Sequence, residues 1–191
     1  VSYILLLLGS NDSCLPSSPT KQHIPLEQYR SNLHAIINHP AIKAHEDAVI
    51  LLVTPPPVNE VHLEKEDLKM GNGALTRRQE VTKQYVDVAR SIAGEYAGKG
   101  VELVDLWSAL MDEGKRLTPG FEESGALLGT NEKGDSEGLR SLLVDGLHLT
   151  GAGYKVFWEQ VRPHVGKGWA DEPLDNPSWL FPHWSVAPSD E

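Results

Sequence analysis

Cysteine is almost absent from this chain of 191 residues, because Cys14 is the only one. No intrachain disulfide can form, which is typical of proteins in a reducing compartment. Long apolar runs are missing too, since no segment reaches the roughly 18 apolar residues of a membrane-spanning helix. The apolar run at residues 1–8 is too short to span a membrane and has no basic flank, so it does not resemble a signal peptide. We therefore expect a cytoplasmic protein.

Basic residues are also scarce. There are 17 Lys and Arg against 27 Asp and Glu, and the formal net charge is −10. Because phosphate backbones and anionic lipids are bound by clustered Lys and Arg, this balance argues against a nucleic-acid partner and against a membrane surface. It favours a neutral or cationic small ligand. The spacings of His34, His39 and His45 match no known metal motif, so no metal site is expected.

The composition is that of an ordinary globular protein, with 40% hydrophobic and 23% charged residues. The length suits one domain with a real core, and we predict a single domain over residues 1–191. Three of the five tryptophans fall in the last segment, residues 169–191, together with several prolines. This segment is predicted to be an extended strap over the domain; the alternative is an aromatic surface that pairs protomers.

The chain begins with an aliphatic run that ends abruptly at Gly9-Ser10-Asn11-Asp12. A run without period-two alternation is typical of a strand covered on both faces, as in a parallel sheet under helices. Gly9 and Asn11 would then lie just past the carboxyl end of the strand, where open α/β sheets bind ligands. The Gly9 backbone and the Asn11 amide are neutral donors, which a developing oxyanion needs. The alternative is an ordinary strand-to-loop turn.

A second polar motif, Asp145-Gly146-Leu147-His148-Leu149-Thr150, precedes the last predicted helix. Residues three apart on a helical turn share a face, so Asp145 could hold and orient the imidazole of His148. A carboxylate and the histidine that it orients are two parts of a hydrolase triad. The alternative is a local turn beside a surface histidine. Thr150 is predicted to cap the helix that follows.

Together the two motifs resemble those of the SGNH, or GDSL-type, hydrolases, and most closely their isoamyl acetate-hydrolysing esterase-like branch. The resemblance extends to residues 22–29 (QHIPLEQY), 54–57 (TPPP) and 181–184 (FPHW). It implies a three-layer α/β/α, flavodoxin-like fold with a parallel sheet. It also implies that Asp145 and His148 are the catalytic acid and base, that Asn11 is the oxyanion-hole asparagine, and that Gly9 is the glycine before it.

The same resemblance implies hydrolysis of small or medium uncharged carboxylic esters through a serine acyl-enzyme, without a metal or organic cofactor. Asp145 would orient the imidazole while His148 moves the proton. The residues proposed to line an acyl or alcohol pocket are Leu15, Pro55, Pro56, Leu147 and Leu149.

The sequence departs from this family at its start. Family members open with a strand and a Gly-Asp-Ser motif that carries the nucleophile, and this sequence starts at what would be the third strand. We therefore expect the first two strands and the nucleophilic serine to be absent. The tripeptide Gly134-Asp135-Ser136 follows no predicted strand and is interpreted as a coincidence, and Ser10 and Ser13 are weaker substitutes.

Two consequences follow from that departure. The alternative to an esterase is a non-catalytic relic or fragment that acts as a binding or scaffold protein. The strand at residues 1–8 would also have an open apolar edge, so the chain could self-associate through this edge or through the strap.

Periodicity and turn residues place the other elements. Strands are predicted at residues 48–53 and 101–104, and helices at 25–39, 76–97, 106–112 and 153–163. Thr76 and Gln79 form a possible capping box. Asp105 is predicted to cap the third of these helices, with a pocket role as the alternative. Residues 60–73 are expected to be a polar connection and residues 118–137 an irregular insertion. The predicted inner face of the last helix comprises Tyr154, Phe157, Trp158 and Val161.

Overall fold

The computed structural model describes residues 1–165, which form a parallel sheet of three strands between two layers of helices. The elements are β1 (Tyr3–Leu7), α1 (Leu26–Ile37), α2 (Pro40–Lys43), β2 (Val49–Val53), α3 (Glu60–Lys69), α4 (Gln79–Glu95), β3 (Val101–Val104), α5 (Leu106–Arg116), α6 (Glu137–Leu142), α7 (Gly151–Val161) and a 3₁₀ turn at Arg162–His164. The predicted α/β class with a parallel sheet is confirmed. The strap predicted at residues 169–191 lies outside the described residues.

The strands lie in the order β1-β2-β3, and all pairs are parallel. Leu7 of β1 pairs with Val53 of β2, and Val53 pairs with Val104 of β3. The carboxyl ends of the three strands therefore meet at one edge of the sheet. Gly9, Thr54 and Asp105 follow at this edge, where open α/β sheets place their ligands.

Both faces of β2 are covered, which explains why its sequence is apolar without alternation. Ile50 and Leu52 pack with residues of α1 and α4, including Tyr29 and Tyr85. Leu51 and Val53 pack on the other face with residues of α5, α6 and α7.

β1 is an edge strand within residues 1–165, because it pairs only with β2 there. Ile4 and Leu6 pack on the α1 and α4 side, whereas Leu5 is 47% exposed on the other side. The prediction that this strand is covered on both faces is met only in part within the described residues, because Leu7 packs against the cluster of α5–α7 but Leu5 does not. Within residues 1–165 the other edge of β1 pairs with no strand, as expected.

Residues 60–69 are helical, so the prediction of a polar connection over residues 60–73 was wrong. The buried positions of α3 recur at helical spacing, but two of the three are acidic: Glu60, Leu63 and Asp67. Glu60 accepts hydrogen bonds from the backbone N–H groups of Gln79 and Asn131, and Asp67 accepts one from Thr76. A search for apolar periodicity misses a helix whose buried face is built of carboxylates that bind backbone donors.

Most predicted helix boundaries agree with the structure, and one cap does not. Asp105 and Thr150 accept hydrogen bonds from the backbone N–H groups of Ser108 and Gly153, as caps of α5 and α7. The Thr76–Gln79 capping box does not form. Thr76 donates its hydroxyl to Asp67, and Glu60 instead accepts from the first N–H of α4.

The last helix presents a different face to the core from the one predicted. Val156, Phe157 and Val161 pack in the cluster that contains Leu51 and Val53, whereas Tyr154 and Trp158 are exposed. The four-residue step from Tyr154 to Trp158 forms a stripe of its own beside the buried one. No helix within residues 1–165 has the length and apolar composition of a membrane span.

Candidate active site

Asp145 and His148 form a hydrogen-bonded pair in the loop between α6 and α7. Oδ1 of Asp145 accepts from the backbone N–H groups of Leu147 at 2.9 Å and His148 at 2.8 Å. Its Oδ2 lies 2.6 Å from Nδ1 of His148. Because an ionised carboxylate only accepts hydrogen bonds, Nδ1 carries the proton in this contact. The imidazole is thus held with its other nitrogen, Nε2, free to act as a base.

The two side chains of this pair differ in environment. The His148 side chain is 73% exposed and that of Asp145 is 28% exposed, and Nε2 of His148 makes no hydrogen bond within residues 1–165. Burial raises the pKa of Asp145, but the hydrogen bonds from the His148 side chain and from the two backbone N–H groups outweigh burial and hold the pKa below its usual range. Asp145 therefore stays ionised and can stabilise a protonated His148.

The loop that carries this pair fits tightly against the segment after β2. Gly146 has φ +85°, and a Cβ there would lie 2.6 Å from the backbone nitrogen of Leu63 and 2.7 Å from the carbonyl oxygen of Asn59. Its own carbonyl oxygen accepts from the N–H of Asn59 at 2.9 Å. Only glycine fits this conformation and this space, so the glycine inside the Asp-Gly-Leu-His motif is a requirement of the loop.

Gly9 and Asn11 lie in a tight turn immediately after β1. Gly9 has φ +116°, and a Cβ there would lie 3.0 Å from the hydroxyl of Tyr29 and 3.1 Å from Cγ of Pro55. The carbonyl oxygens of Gly9 and Asn11 accept from the N–H groups of Ser13 and Cys14. The turn is thus fixed by its own backbone, and the Asn11 side chain projects from it.

Arg77 is a residue of this region that sequence reasoning missed. Its guanidinium donates to the carbonyl oxygen of Ser10 at 2.6 Å and to Oδ1 of Asn11 at 3.1 Å. Arg77 is 5% exposed, while its neighbour Arg78 is exposed. No pattern in the sequence separates the two arginines, because only the packing of the loop after α3 against the turn at residues 9–14 buries one of them.

A small apolar cluster packs Leu147 of the second motif against residues of α3 and of the loops on either side of it. It consists of Val58, Leu63, Leu75 and Leu147. Leu147 precedes His148, and Leu75 stands two residues before Arg77, which binds Asn11. The turn after β1 and the loop of His148 each contact the polypeptide between β2 and α4, through Arg77 and through Asn59.

The predicted pocket residues do not all lie in one cluster. Pro55 is buried against Gly9, Pro56 is buried beside it, and Leu147 belongs to the small apolar cluster. Leu15 is half-buried, and its N–H donates to the carbonyl oxygen of Thr76. Leu149 packs against the cluster of Leu51 and Val53 and is not part of the cluster that contains Leu147.

Two of the three serines considered as substitute nucleophiles, Ser13 and Ser136, form other hydrogen bonds. Ser136 is buried and caps α6, with its Oγ accepting from the N–H of Leu139 and bonded to Thr118. Ser13 is buried between the carbonyl oxygen of Ser10 and the hydroxyl of Thr82. Within residues 1–165 no serine side chain forms a hydrogen bond with His148. The same part of the chain contains no group of three His, Cys, Asp or Glu side chains arranged for a metal ion.

Known proteins are similar to this chain in sequence, and others are similar to it in fold. The chain is similar to the isoamyl acetate-hydrolyzing esterase 1 homologs of Mus musculus, at 27% identity over 181 residues, and of Homo sapiens, at 28% over 182 residues. Each alignment covers 95% of this chain and 60% of the relative, so the chain spans about 60% of the length of these curated relatives.

Among solved structures, the acetylxylan esterase Axe2 of Geobacillus stearothermophilus superposes with a TM-score of 0.54 at 18% identity. This superposition covers 88% of the present chain and 61% of that chain, and it supports the fold. The model of the GDSL-like lipase/acylhydrolase family matches residues 2–156. The predicted resemblance is thus confirmed, and the chain belongs to the GDSL-like lipase/acylhydrolase family.

Proposed function

We propose that this protein is a carboxylic-ester hydrolase of small or medium uncharged esters, with His148 as the general base, Asp145 as the group that orients it, and Asn11 as an oxyanion donor. The observation that carries the proposal is the contact of 2.6 Å between Oδ2 of Asp145 and Nδ1 of His148. Two backbone donors hold the same carboxylate in place.

The proton transfers of ester hydrolysis suit the state of His148. With Nδ1 bonded to Asp145, the lone pair of Nε2 accepts the proton of an attacking hydroxyl and later returns it to the leaving alcohol. General acid–base help of this kind is worth roughly 10²–10⁴ in rate. The negative charge of Asp145, held by three hydrogen bonds, stabilises the imidazolium that forms between the two transfers.

The negative charge that develops on the ester oxygen needs fixed donors. Asn11 has its Oδ1 occupied by Arg77, so its Nδ2 group is the donor that remains. Removing one such donor from an acyl-transfer enzyme costs about 3–4 kcal/mol of transition-state stabilisation. Gly9, two residues earlier, allows this turn to pack against Tyr29 and Pro55 with a positive φ.

The nucleophile of the acyl-enzyme is, in this proposal, none of the serines within residues 1–165. Attack requires a hydroxyl within about 3 Å of Nε2, and the hydroxyls of Ser13 and Ser136 are buried in other hydrogen bonds. In this proposal neither of these two serines is the nucleophile, as the departure of the sequence from the family pattern suggests.

The proposed substrate class rests on charge and on relatives. The net charge of −10 disfavours anionic substrates. Pro55, Pro56 and Leu147 are apolar residues close in sequence or space to the two motifs, but all three are buried, so the preference for a short acyl or alcohol chain rests on the relatives. Two relatives are named for the hydrolysis of isoamyl acetate, an uncharged ester.

Hydrolysis assays with matched variants test the proposal. Release of alcohol from isoamyl acetate and from p-nitrophenyl acetate is measured for a form of the protein that carries the nucleophilic serine, and for its His148→Ala and Asn11→Ala variants. We expect His148→Ala to fall to the rate in buffer and Asn11→Ala to lose about 10²-fold. His45 is exposed before β2, at the opposite end of the sheet, so His45→Ala is the control and should retain the full rate. Equal rates for that form and for its His148→Ala variant would overturn the proposal.

A fluorophosphonate probe tests the nucleophile separately. We expect no labelling of Ser10, Ser13 or Ser136, and labelling of one of these three serines that disappears in His148→Ala would contradict this part of the proposal.

A second candidate function is a non-catalytic binding or scaffold protein. It is favoured by the exposure of His148 and by the lack of a serine partner for it within residues 1–165. This function predicts that isoamyl acetate shifts the imidazole NMR signals of His148 without being hydrolysed. Hydrolysis that depends on His148 excludes it.

A further inference from the structure

We propose that Arg77 is a positioning residue of the candidate oxyanion hole: it fixes the amide of Asn11 with Nδ2 facing outward and holds a positive charge directly behind it. This inference rests on the proposed function for its catalytic meaning, but its structural core can be tested without any activity.

The backbone of Arg77 is fixed by pairing with the turn that follows β1. Arg77 and Cys14 form an antiparallel bridge. The N–H of Leu15 donates to the carbonyl oxygen of Thr76 at 2.8 Å, and Sγ of Cys14 lies 3.3 Å from the same oxygen. This pairing fixes the backbone position from which the buried side chain of Arg77 reaches Asn11.

The orientation of the Asn11 amide follows from the chemistry of arginine. A guanidinium carries only donors, so the atom of Asn11 that faces it at 3.1 Å must be the oxygen. Nδ2 is then turned away and makes no hydrogen bond within residues 1–165. An asparagine without such a partner could flip its amide and present an acceptor to the oxyanion, which would repel it.

The charge of Arg77 has no direct counter-ion in the described part of the chain. Its partners are the neutral oxygens of Ser10, Asn11, Gln22 and Thr76. The nearest link to a carboxylate passes through the Thr76 hydroxyl, which donates to Asp67 at 2.8 Å. A buried cation without a direct partner is costly. It becomes favourable when a negative charge develops beside it, as on an ester oxygen at Asn11 Nδ2.

A purely structural role for Arg77, tying two loops together, is the competing explanation. It predicts that any substitution of Arg77 lowers stability but says nothing about a negative charge at position 11. The substitution Asn11→Asp tests the electrostatic part of the proposal, because it keeps the shape of the side chain and places a carboxylate against the guanidinium; the amide NMR signals and the split between kcat and KM separate the two roles. The positioning role predicts that the new ion pair stabilises the protein while the donor is lost.

Thermal unfolding of four proteins forms the test: the chain, Asn11→Asp, Arg77→Gln and the double variant. We expect Asn11→Asp to raise Tm by about 2–4 °C, which corresponds to a gain of about 1 kcal/mol in a protein of this size. The gain should vanish when Arg77→Gln is also present. Arg78→Gln is the matched control, since Arg78 is exposed, and it should leave the effect of Asn11→Asp unchanged. A Tm that falls or stays constant in Asn11→Asp would overturn the proposal, whether or not the protein hydrolyses esters.

Kinetics and NMR of the Asn11 side chain complete the experiment. If esters are hydrolysed, Arg77→Gln should lower kcat by about 10–100-fold with KM changed by less than about 3-fold, because the loss is confined to the transition state. Arg77→Lys keeps the charge but not the fork, and should recover only part of kcat. In ¹⁵N spectra the Nδ2 signals of Asn11 should shift in Arg77→Gln and stay in place in Arg78→Gln. Unchanged signals in Arg77→Gln would contradict the assigned orientation.

Discussion

At the scale of single residues, the candidate site depends on polar groups whose hydrogen bonds are completed by the backbone. Asp145 takes three hydrogen bonds, two of them from backbone N–H groups within its own turn. Asn11 and His148 each keep one group without a partner in residues 1–165, and these are the groups that the proposed reaction uses. In each of these two residues one polar group is held by a hydrogen bond, and the other polar group is left for the reaction.

The lowered pKa of Asp145 gives a prediction for stability against pH. Its ionised form is favoured in the folded state, so its contribution to the free energy of unfolding is present above the usual pKa of an aspartate. This contribution is lost as the pH falls through the lower pKa of the folded state. We expect urea unfolding to show the chain more stable than Asp145→Asn at pH 7, with a difference that shrinks below about pH 4. A difference that is constant from pH 7 to pH 3 would contradict this.

Gly146 allows a test that separates crowding from backbone strain. Gly146→Ala places a Cβ 2.6 Å from the nitrogen of Leu63 at φ +85°, whereas Gly71 has a similar φ of +81° with no atom within 4 Å of a Cβ. Gly71→Ala should cost about 1–2 kcal/mol through strain alone. Gly146→Ala should cost clearly more and displace the loop that carries His148. Equal losses in urea denaturation would show that the close contact with α3 is unimportant.

At the scale of elements, α3 organises the loops around the site through its buried carboxylates. Glu60 accepts from the first N–H of α4 and from Asn131. Asp67 accepts from Asn72 and from both the N–H and the hydroxyl of Thr76. Because these acceptors bind backbone donors of the neighbouring segments, α3 fixes the loop that presents Arg77 as well as the start of α4.

Removal of one of these carboxylates should therefore destabilise the protein. Asp67→Ala leaves the N–H and hydroxyl of Thr76 buried without an acceptor, which costs about 1–3 kcal/mol per group. Glu66→Ala, on the same helix, removes only a surface ion pair with Lys69 and should cost at most about 1 kcal/mol. Urea denaturation measures both losses. If the two variants unfold alike, Asp67 does not support the loop.

At the scale of the whole molecule, the sheet is covered unevenly. Two layers of helices enclose β2, but β1 has an unpaired edge in the described part of the chain, with Leu5 and Leu8 exposed beside it. An apolar strand with free backbone donors and acceptors is a template for pairing with another chain. Self-association of the chain is therefore expected.

A charged residue on this strand should prevent the association. We expect sedimentation velocity to show oligomers of the chain that decrease as concentration falls, and Leu5→Lys to shift the distribution towards the monomer. Leu68 on α3 is also exposed but lies off the sheet, so Leu68→Lys is the control and should leave the distribution unchanged. A chain that is monomeric at about 100 µM, a concentration at which exposed edges of partly folded proteins associate, would contradict the prediction.

Local order in the sequence was enough to predict the three strands, the α/β class, the caps at Asp105 and Thr150, and the pair of Asp145 and His148. Each of these depends on interactions between residues that are neighbours along the chain, so residue type and spacing are enough to predict them. Contacts between distant segments determined the rest. The burial of Glu60, Asp67 and Arg77, the exposure of Leu5, and the outward face of α7 follow from which surfaces meet when the layers assemble. A buried carboxylate or guanidinium satisfied by another segment leaves no periodic pattern in its own segment.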